Sequence, residues 1–218
     1  MVAILAASPD LETLRLGGYE PTLTTGLLRD LPHETPAPTM YPVLTSLHLH
    51  SFLSAQSAAF IISLIKAPGL LDLTIEGWEC DDYEDILASL GKSFPSVKIL
   101  RLTRIWWPFT FDAHRALFSD MPLVEHLIVD SPYSLYALDP LRDPISHTVP
   151  LIALKTLQLY DLHPHRTYFE MVKHRKALGS PLKRILIERM GSDPSRWFSG
   201  LQGEVEHIEY FDERRHVE

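Results

Sequence analysis

The sequence predicts an α/β fold in which about eight strand–helix units stack side by side. Their strands would form one parallel sheet, and their helices would cover its outer face. Two observations predict this fold. A short pattern of apolar residues recurs along nearly all of residues 1–218, which we therefore treat as a single domain. Between the copies of the pattern, apolar residues follow the helical period of 3.6.

The recurring pattern is an apolar residue, two variable residues, an apolar residue, one variable residue and a third apolar residue. Successive copies begin 23 to 33 residues apart, and the last copy is the least regular. The eight copies are Leu11-Leu14-Leu16, Leu44-Leu47-Leu49, Leu70-Leu73-Ile75, Val97-Leu100-Leu102, Val124-Leu127-Val129, Leu154-Leu157-Leu159, Leu182-Ile185-Ile187 and Val205-Ile208-Tyr210.

Helices are predicted between the strands, and prolines mark where they end. Ala58, Ile61, Ile62 and Ile65 have the i, i+3, i+4, i+7 spacing of one helical face. Proline cannot continue a helix. A proline lies two residues before the first apolar position in five units, at Pro9, Pro42, Pro68, Pro95 and Pro122. Further helices are predicted around Tyr83 to Leu90, Ala113 to Leu117 and Tyr168 to Val172.

These residues resemble a leucine-rich repeat solenoid, or horseshoe, over essentially the whole chain. The proline-linked units of uneven length are similar to the repeat region of fungal F-box/leucine-rich-repeat proteins. The resemblance implies a parallel concave sheet, convex helices and a role in protein recognition. An ordinary α/β domain with leucine-rich strands is the alternative fold.

The F-box family implies a specific role. Its members are substrate receptors of cullin-type ubiquitin ligases, in which the F-box binds a Skp-type adaptor and the repeats hold the target. No F-box segment is recognisable in this sequence, so we expect a fragment that lacks the N-terminal F-box and capping elements. The adaptor would be a partner only if an F-box precedes Met1. A stand-alone scaffold with no ubiquitin link is the alternative function.

Composition and charge exclude several functions. Lys and Arg number 20 against 28 Asp and Glu, so the net charge is −8 and argues against binding to nucleic acid or to an anionic membrane. No apolar stretch approaches the roughly twenty residues that span a bilayer. Cys80 is the only cysteine, which excludes an internal disulfide and favours the reducing cytoplasm or nucleus.

The predicted binding site is the concave face, where alternate strand side chains point away from the helices. Its residues mix both charge signs with histidine and aromatic side chains, which suits a protein partner better than a phosphate backbone. A merely solvated sheet is the alternative. The predicted partner-binding residues are Arg15, His48, His50, Asp72, Thr74, Glu76, Arg101, His126, Gln158, Tyr160, Arg184 and Glu188.

We predict no catalytic residue, cofactor or metal site. His48 and His50 share a strand face, with Asp72 and Glu76 expected on the next strand, so a divalent metal or an enzymatic centre there is a remote alternative. Two exposed histidines on a binding face explain the same spacing. Catalytic sequence signatures, including glycine-rich phosphate and dinucleotide loops, are absent from the sequence.

Structural predictions also follow for three further stretches of the sequence. Trp106-Trp107-Pro108-Phe109 is predicted to pack in the convex loops or, alternatively, to form an exposed binding hot spot. Residues 131–149 lengthen their unit and are predicted to be a mobile or partner-specific loop. His174, Arg175 and Lys176 are predicted to form a solvated helix end.

Overall fold

The computed structural model describes residues 8, 10–17, 37–50, 55–77, 84–105, 110–131, 134–142, 149–160, 166–188 and 199–211. Within them, the chain is an α/β protein dominated by one parallel sheet. The strands are β1 (Thr13–Leu16), β2 (Thr39–Met40), β3 (Ser46–Leu49), β4 (Ile65–Lys66), β5 (Asp72–Glu76), β6 (Ile99–Thr103), β7 (His126–Asp130), β8 (Thr156–Tyr160), β9 (Arg184–Glu188) and β10 (His207–Phe211). The helices are α1 (Ala55–Ser63), α2 (Glu84–Ser93), α3 (Phe111–Ser119), α4 (Ser134–Arg142) and α5 (Arg166–Ala177), with a 3₁₀ helix at Ser199–Leu201.

The large sheet contains eight strands in the order β1-β3-β5-β6-β7-β8-β9-β10, so its strands are arranged as they follow one another in the chain. Every neighbouring pair is parallel. The register places equivalent positions of the repeat side by side, as Leu47 opposite Leu73 and Leu73 opposite Leu100. The predicted strands and their parallel pairing are therefore confirmed.

The core lies on one face of this sheet. Leu47, Leu73 and Leu100 have no solvent-accessible surface, and helix residues such as Leu90 and Leu117 belong to the same buried cluster. Full burial of one such side chain contributes about 1.5–3 kcal/mol. The helices therefore cover the sheet because each strand presents two apolar side chains to the core, such as Leu47 and Leu49 of β3.

Four helices lie where the apolar period predicts them, namely α1, α2, α3 and α5. The N-terminus of α3 is capped by Thr110, whose Oγ1 accepts a hydrogen bond of 3.3 Å from the backbone N–H of Ala113. The first helix is shorter than its apolar spacing suggests, because α1 ends at Ser63 and Ile65 belongs to β4. Strand β4 pairs with β2 in a separate two-stranded sheet that the sequence pattern did not predict.

The prediction of a mobile loop over residues 131–149 is wrong for its central part. Helix α4 (Ser134–Arg142) lies there, and Ala137, Leu138 and Leu141 are buried in the core. The helix was not predicted because it contains Pro140, and an interior proline removes one helical hydrogen bond. This unit therefore has a packed helix like its neighbours.

The prediction of a solvated end for α5 is wrong at Arg175, which has no solvent-accessible surface. Its Nη1 and Nη2 donate hydrogen bonds of 2.8 and 2.9 Å to the carbonyl oxygens of Pro150 and Leu151. Burial lowers the pKa of the guanidinium to about 10. These two hydrogen bonds connect the C-terminal end of α5 to the turn that precedes β8.

No helix in the described ranges combines the length and the apolar character that crossing a lipid bilayer requires.

Candidate protein-binding face

The strand side chains that point away from the core form a second face of the sheet, which we call the polar face. All twelve residues predicted to bind a partner lie on this face or at its strand ends. Arg15 and Arg184 are exposed, and the other ten are half-buried. The structure therefore brings the predicted residues to one continuous surface, because all eight strands run in the same direction and register.

At the carboxyl ends of β3 and β5, three side chains surround one carboxylate. The Nε2 atoms of His48 and His50 lie 2.7 and 3.7 Å from the carboxylate oxygens of Glu76. Arg104 Nη1 lies 3.1 Å from Glu76 Oε1. We call these four residues the Glu76 cluster. The strand pattern predicts that His48, His50 and Glu76 lie near one another, but it does not predict Arg104.

Arg104 reaches Glu76 from an unusual backbone conformation. Its φ of 51° lies in the left-handed region, which non-glycine residues seldom adopt. The conformation turns the chain sharply after β6, and the Arg104 backbone N–H donates a hydrogen bond to the Asp130 carbonyl oxygen. A positive φ on arginine carries no signal in the sequence, so this partner of Glu76 could not be predicted.

The remote metal hypothesis receives no support from this geometry. In the part of the chain that the structure describes, no group of three or more His, Cys, Asp or Glu residues is placed to hold a metal ion. His48 already hydrogen-bonds to Glu76, and Asp72 is engaged elsewhere. The histidines thus act as partners of a carboxylate.

Asp72 pairs with Arg101 instead of with the histidines. Arg101 donates from Nε to Asp72 Oδ1 at 3.2 Å and from Nη2 to Oδ2 at 3.0 Å. This two-pronged arrangement matches the planar guanidinium to the carboxylate. The diagonal placement of the two residues on β5 and β6 allows it, because Asp72 is opposite Ile99 and Thr74 is opposite Arg101.

The middle of the polar face is less open than the sequence suggests. Ile128, which alternation along β7 places on the polar face, is only 4% exposed, and Thr156 is only 8% exposed. The sheet register places Ile128 between Arg101 and Gln158. Gln158 Nε2 donates a hydrogen bond of 2.7 Å to the hydroxyl of Tyr160. The face therefore has a small apolar centre between charged ends.

His126 lies beside this centre in an environment that disfavours its charge. Burial, followed by the positive charges of Arg101 and Arg184, lowers the pKa of the imidazole, while Gln158 and Asp72 act in the opposite direction. Its Nε2 is buried and has no hydrogen-bond partner among the residues described. The imidazole is therefore neutral at neutral pH and adds no positive charge to the face.

A groove of about 810 Å³ lies along the amino-terminal ends of β6 to β10, and we call it the edge groove. Part of its lining belongs to the polar face, and the rest comes from the residues just before each strand. The lining residues are Lys98, Ile99, Glu125, His126, Lys155, Thr156, Lys183, Arg184, Glu206, His207 and Glu209.

Sequence reasoning missed the lysines of the edge groove. Lys98, Lys155 and Lys183 directly follow the first apolar residue of their units, a position that the alternation rule did not assign to the binding face. Their recurrence at the same repeat position in three units was the available signal.

Several sequence predictions lie outside the described residues. They include those for the segment Trp106 to Phe109 and for Cys80. Residues 132, 133 and 143–148 of the 131–149 stretch are also outside them.

The comparisons with known proteins add no family assignment. The chain matches no protein-family model, and no curated protein matches its sequence.

Proposed function

We propose that the chain is a non-catalytic protein-recognition module built as a leucine-rich repeat horseshoe. The observation that carries the proposal is the arrangement of the eight strands in chain order, which gives one continuous polar face. Extended faces of repeat proteins commonly bind partners. Both charge signs, histidine and aromatic residues on this face suit a protein surface.

The proposal includes the part that the F-box resemblance implies. The repeats would hold the target of a cullin-type ubiquitin ligase and would act by raising the local concentration of a target lysine near the charged ubiquitin-conjugating enzyme. A Skp-type adaptor would be contacted only through an F-box. The single cysteine in the sequence favours an intracellular setting for this role, in the cytoplasm or nucleus.

Proximity labelling in cells tests the proposal. The chain is compared with a variant that carries His48→Ala, Arg101→Ala and Tyr160→Ala, which alter the Glu76 cluster, the Asp72 pair and the aromatic contact with Phe211. A matched control carries Lys66→Ala, Lys92→Ala and Lys173→Ala, all exposed residues outside the polar face. Thermal unfolding of each variant checks that it is folded.

We expect a specific set of labelled proteins that the polar-face variant loses and the lysine control retains. The coding sequence upstream of Met1 separates the two roles. An in-frame F-box there would support the receptor role, whereas a stop codon directly before Met1 would support a stand-alone scaffold. An unchanged set in a folded polar-face variant would contradict recognition through this face.

A further inference from the structure

The edge groove is richer in cations than the chain as a whole. Its lining contains four Lys or Arg residues and three Glu residues, whereas the whole chain has a net charge of −8. Two of the carboxylates already have partners. Lys155 Nζ lies 2.7 Å from Glu125 Oε2, and Arg184 Nη1 lies 3.7 Å from Glu209 Oε1.

Two lysines of the edge groove have no such partner in the part of the chain that the structure describes. Lys98 and Lys183 are exposed, and neither ammonium forms an ion pair or a hydrogen bond with another residue in the described ranges. Lys98 does contribute, after Lys155, to lowering the pKa of Glu125. The groove therefore offers two cations that form no ion pair among the residues described, and Glu206 is the one lining carboxylate of which the same is true.

The backbone fixes the spacing of these two lysines. Glu125, Lys155 and Lys183 each donate a backbone hydrogen bond to the equivalent residue of the preceding unit. The Glu125 N–H donates to the Lys98 carbonyl oxygen at 2.8 Å, and the Lys155 N–H donates to the Glu125 carbonyl oxygen at 2.9 Å. The Lys183 N–H donates to the Lys155 carbonyl oxygen at 2.8 Å. Lys98 and Lys183 are thus three ladder steps apart, or about 14 Å at the usual strand spacing. In an extended peptide, side chains at positions i and i+4 are on the same face and also about 14 Å apart.

We propose that the edge groove binds an extended acidic segment of a protein partner, in which carboxylates at i and i+4 pair with Lys98 and Lys183. This inference rests on the proposed recognition function and names the chemistry of its partner. The segment crosses the ends of β6 to β9 and ends before Glu206, which would repel it.

The charge pattern favours an acidic peptide over a nucleic acid. A phosphate backbone carries a charge on every nucleotide and requires a continuous basic stripe. In the edge groove Glu125 lies between Lys98 and Lys155, and Glu206 follows Lys183, so carboxylates interrupt the row of cations and only a few negative charges fit at set positions.

Fluorescence anisotropy with a labelled peptide of sequence Glu-Ser-Glu-Ser-Glu tests the inference on the full chain at low salt. The test variant carries Lys98→Ala and Lys183→Ala. The matched control carries Lys66→Ala and Lys92→Ala, which remove the same charge from exposed positions outside the groove. A Gln-Ser-Gln-Ser-Gln peptide and a single-stranded oligothymidylate are the ligand controls.

We expect saturable binding of the acidic peptide that weakens about tenfold in the groove variant, the size expected for two surface ion pairs. Binding should be unchanged in the lysine control, absent for the glutamine peptide and weaker with added salt. No binding to the intact chain, equal weakening in both variants, or tighter binding of the oligothymidylate would overturn the inference. If partners still depend on the polar face in proximity labelling, the failure concerns the edge groove alone and the proposed function stands.

Discussion

The Glu76 cluster and the edge groove both place cationic or titratable side chains on the surface of one sheet, but they use these groups differently. In the cluster, two histidines and Arg104 converge on the carboxylate of Glu76, whose side chain is only 16% exposed. In the groove, Lys98 and Lys183 are exposed and have no internal ion pair among the residues described. The comparison indicates that charges satisfied within the fold stabilise it, whereas charges left without a partner are available to a ligand.

The largest expected effect concerns Arg175, a fully buried cation whose Nη1 and Nη2 donate hydrogen bonds to backbone carbonyl oxygens. Arg175→Met should lower the free energy of unfolding by roughly 2–4 kcal/mol, because two buried carbonyl oxygens lose their donors. Arg166→Met on the same helix is the control, since the Arg166 side chain is 85% exposed and, among the residues described, pairs only with Glu170. Urea unfolding measures both. Equal unfolding free energies for the two variants would show that the buried hydrogen bonds of Arg175 do not stabilise the fold.

A smaller effect is expected at the Glu76 cluster. Glu76→Gln should cost about 1–2 kcal/mol of unfolding free energy, because His48 and Arg104 lose a charged acceptor in a partly buried site. Glu12→Gln changes the same charge at an exposed residue and should have little effect. Binding of the acidic peptide should be unaltered in both variants. If Glu76→Gln abolished peptide binding and left the unfolding free energy unchanged, the Glu76 cluster would bind the ligand and would not stabilise the fold.

His126 lines the edge groove, and the pH dependence of stability tests whether its burial disfavours the charged imidazole. Its pKa is lowered in the folded chain, so below its ordinary value of about 6.5 the unfolded chain takes up the proton more readily. The contribution of His126 to stability is therefore complete above about pH 6.5 and is lost as the pH falls towards its folded pKa. Chemical unfolding between about pH 7.5 and 5.5 should show a shallower decline for His126→Gln than for the unaltered chain. Identical slopes would show that burial does not penalise this imidazole.

The smallest expected effect sharpens the description of the groove. Glu206→Gln should tighten binding of the acidic peptide about threefold, because it removes one exposed like charge near the ligand. Asp10→Asn removes the same charge at an exposed residue before β1 and should leave binding unchanged. Peptide titration by anisotropy compares the two variants. Weaker binding in the Glu206 variant would mean that this carboxylate is an acceptor for the ligand and not a repulsive group.

The sequence predicted the sheet well because the repeat sets both the strand positions and their register. Leu47, Leu73 and Leu100 occupy the same position of successive units and lie side by side. The two-stranded sheet escaped prediction because two-residue strands such as Thr39–Met40 are too short to show a period. Arg175 was placed in solvent because arginine is seldom fully buried, and its two carbonyl partners belong to a distant turn.

The candidate site was only partly predictable for a similar reason. Alternation along each strand predicts that His48 and Glu76 share a face. Which side chains pair depends on their length and direction, and this gives the pairs Arg101–Asp72 and Arg104–Glu76. The lysines of the edge groove precede their strands, so the alternation rule did not include them. Pairings between neighbouring units depend on three-dimensional distances that a one-dimensional pattern does not contain.

The most direct test of the central claim is an amide NMR titration of the full chain with the Glu-Ser-Glu-Ser-Glu peptide. We expect chemical-shift changes at the residues around Lys98, Lys155 and Lys183, with little change around Glu76 and His48. These changes should disappear in the Lys98→Ala, Lys183→Ala variant. Shifts centred on the Glu76 cluster, or spread evenly over the sheet, would contradict the assignment of stabilisation to one region and ligand binding to the other.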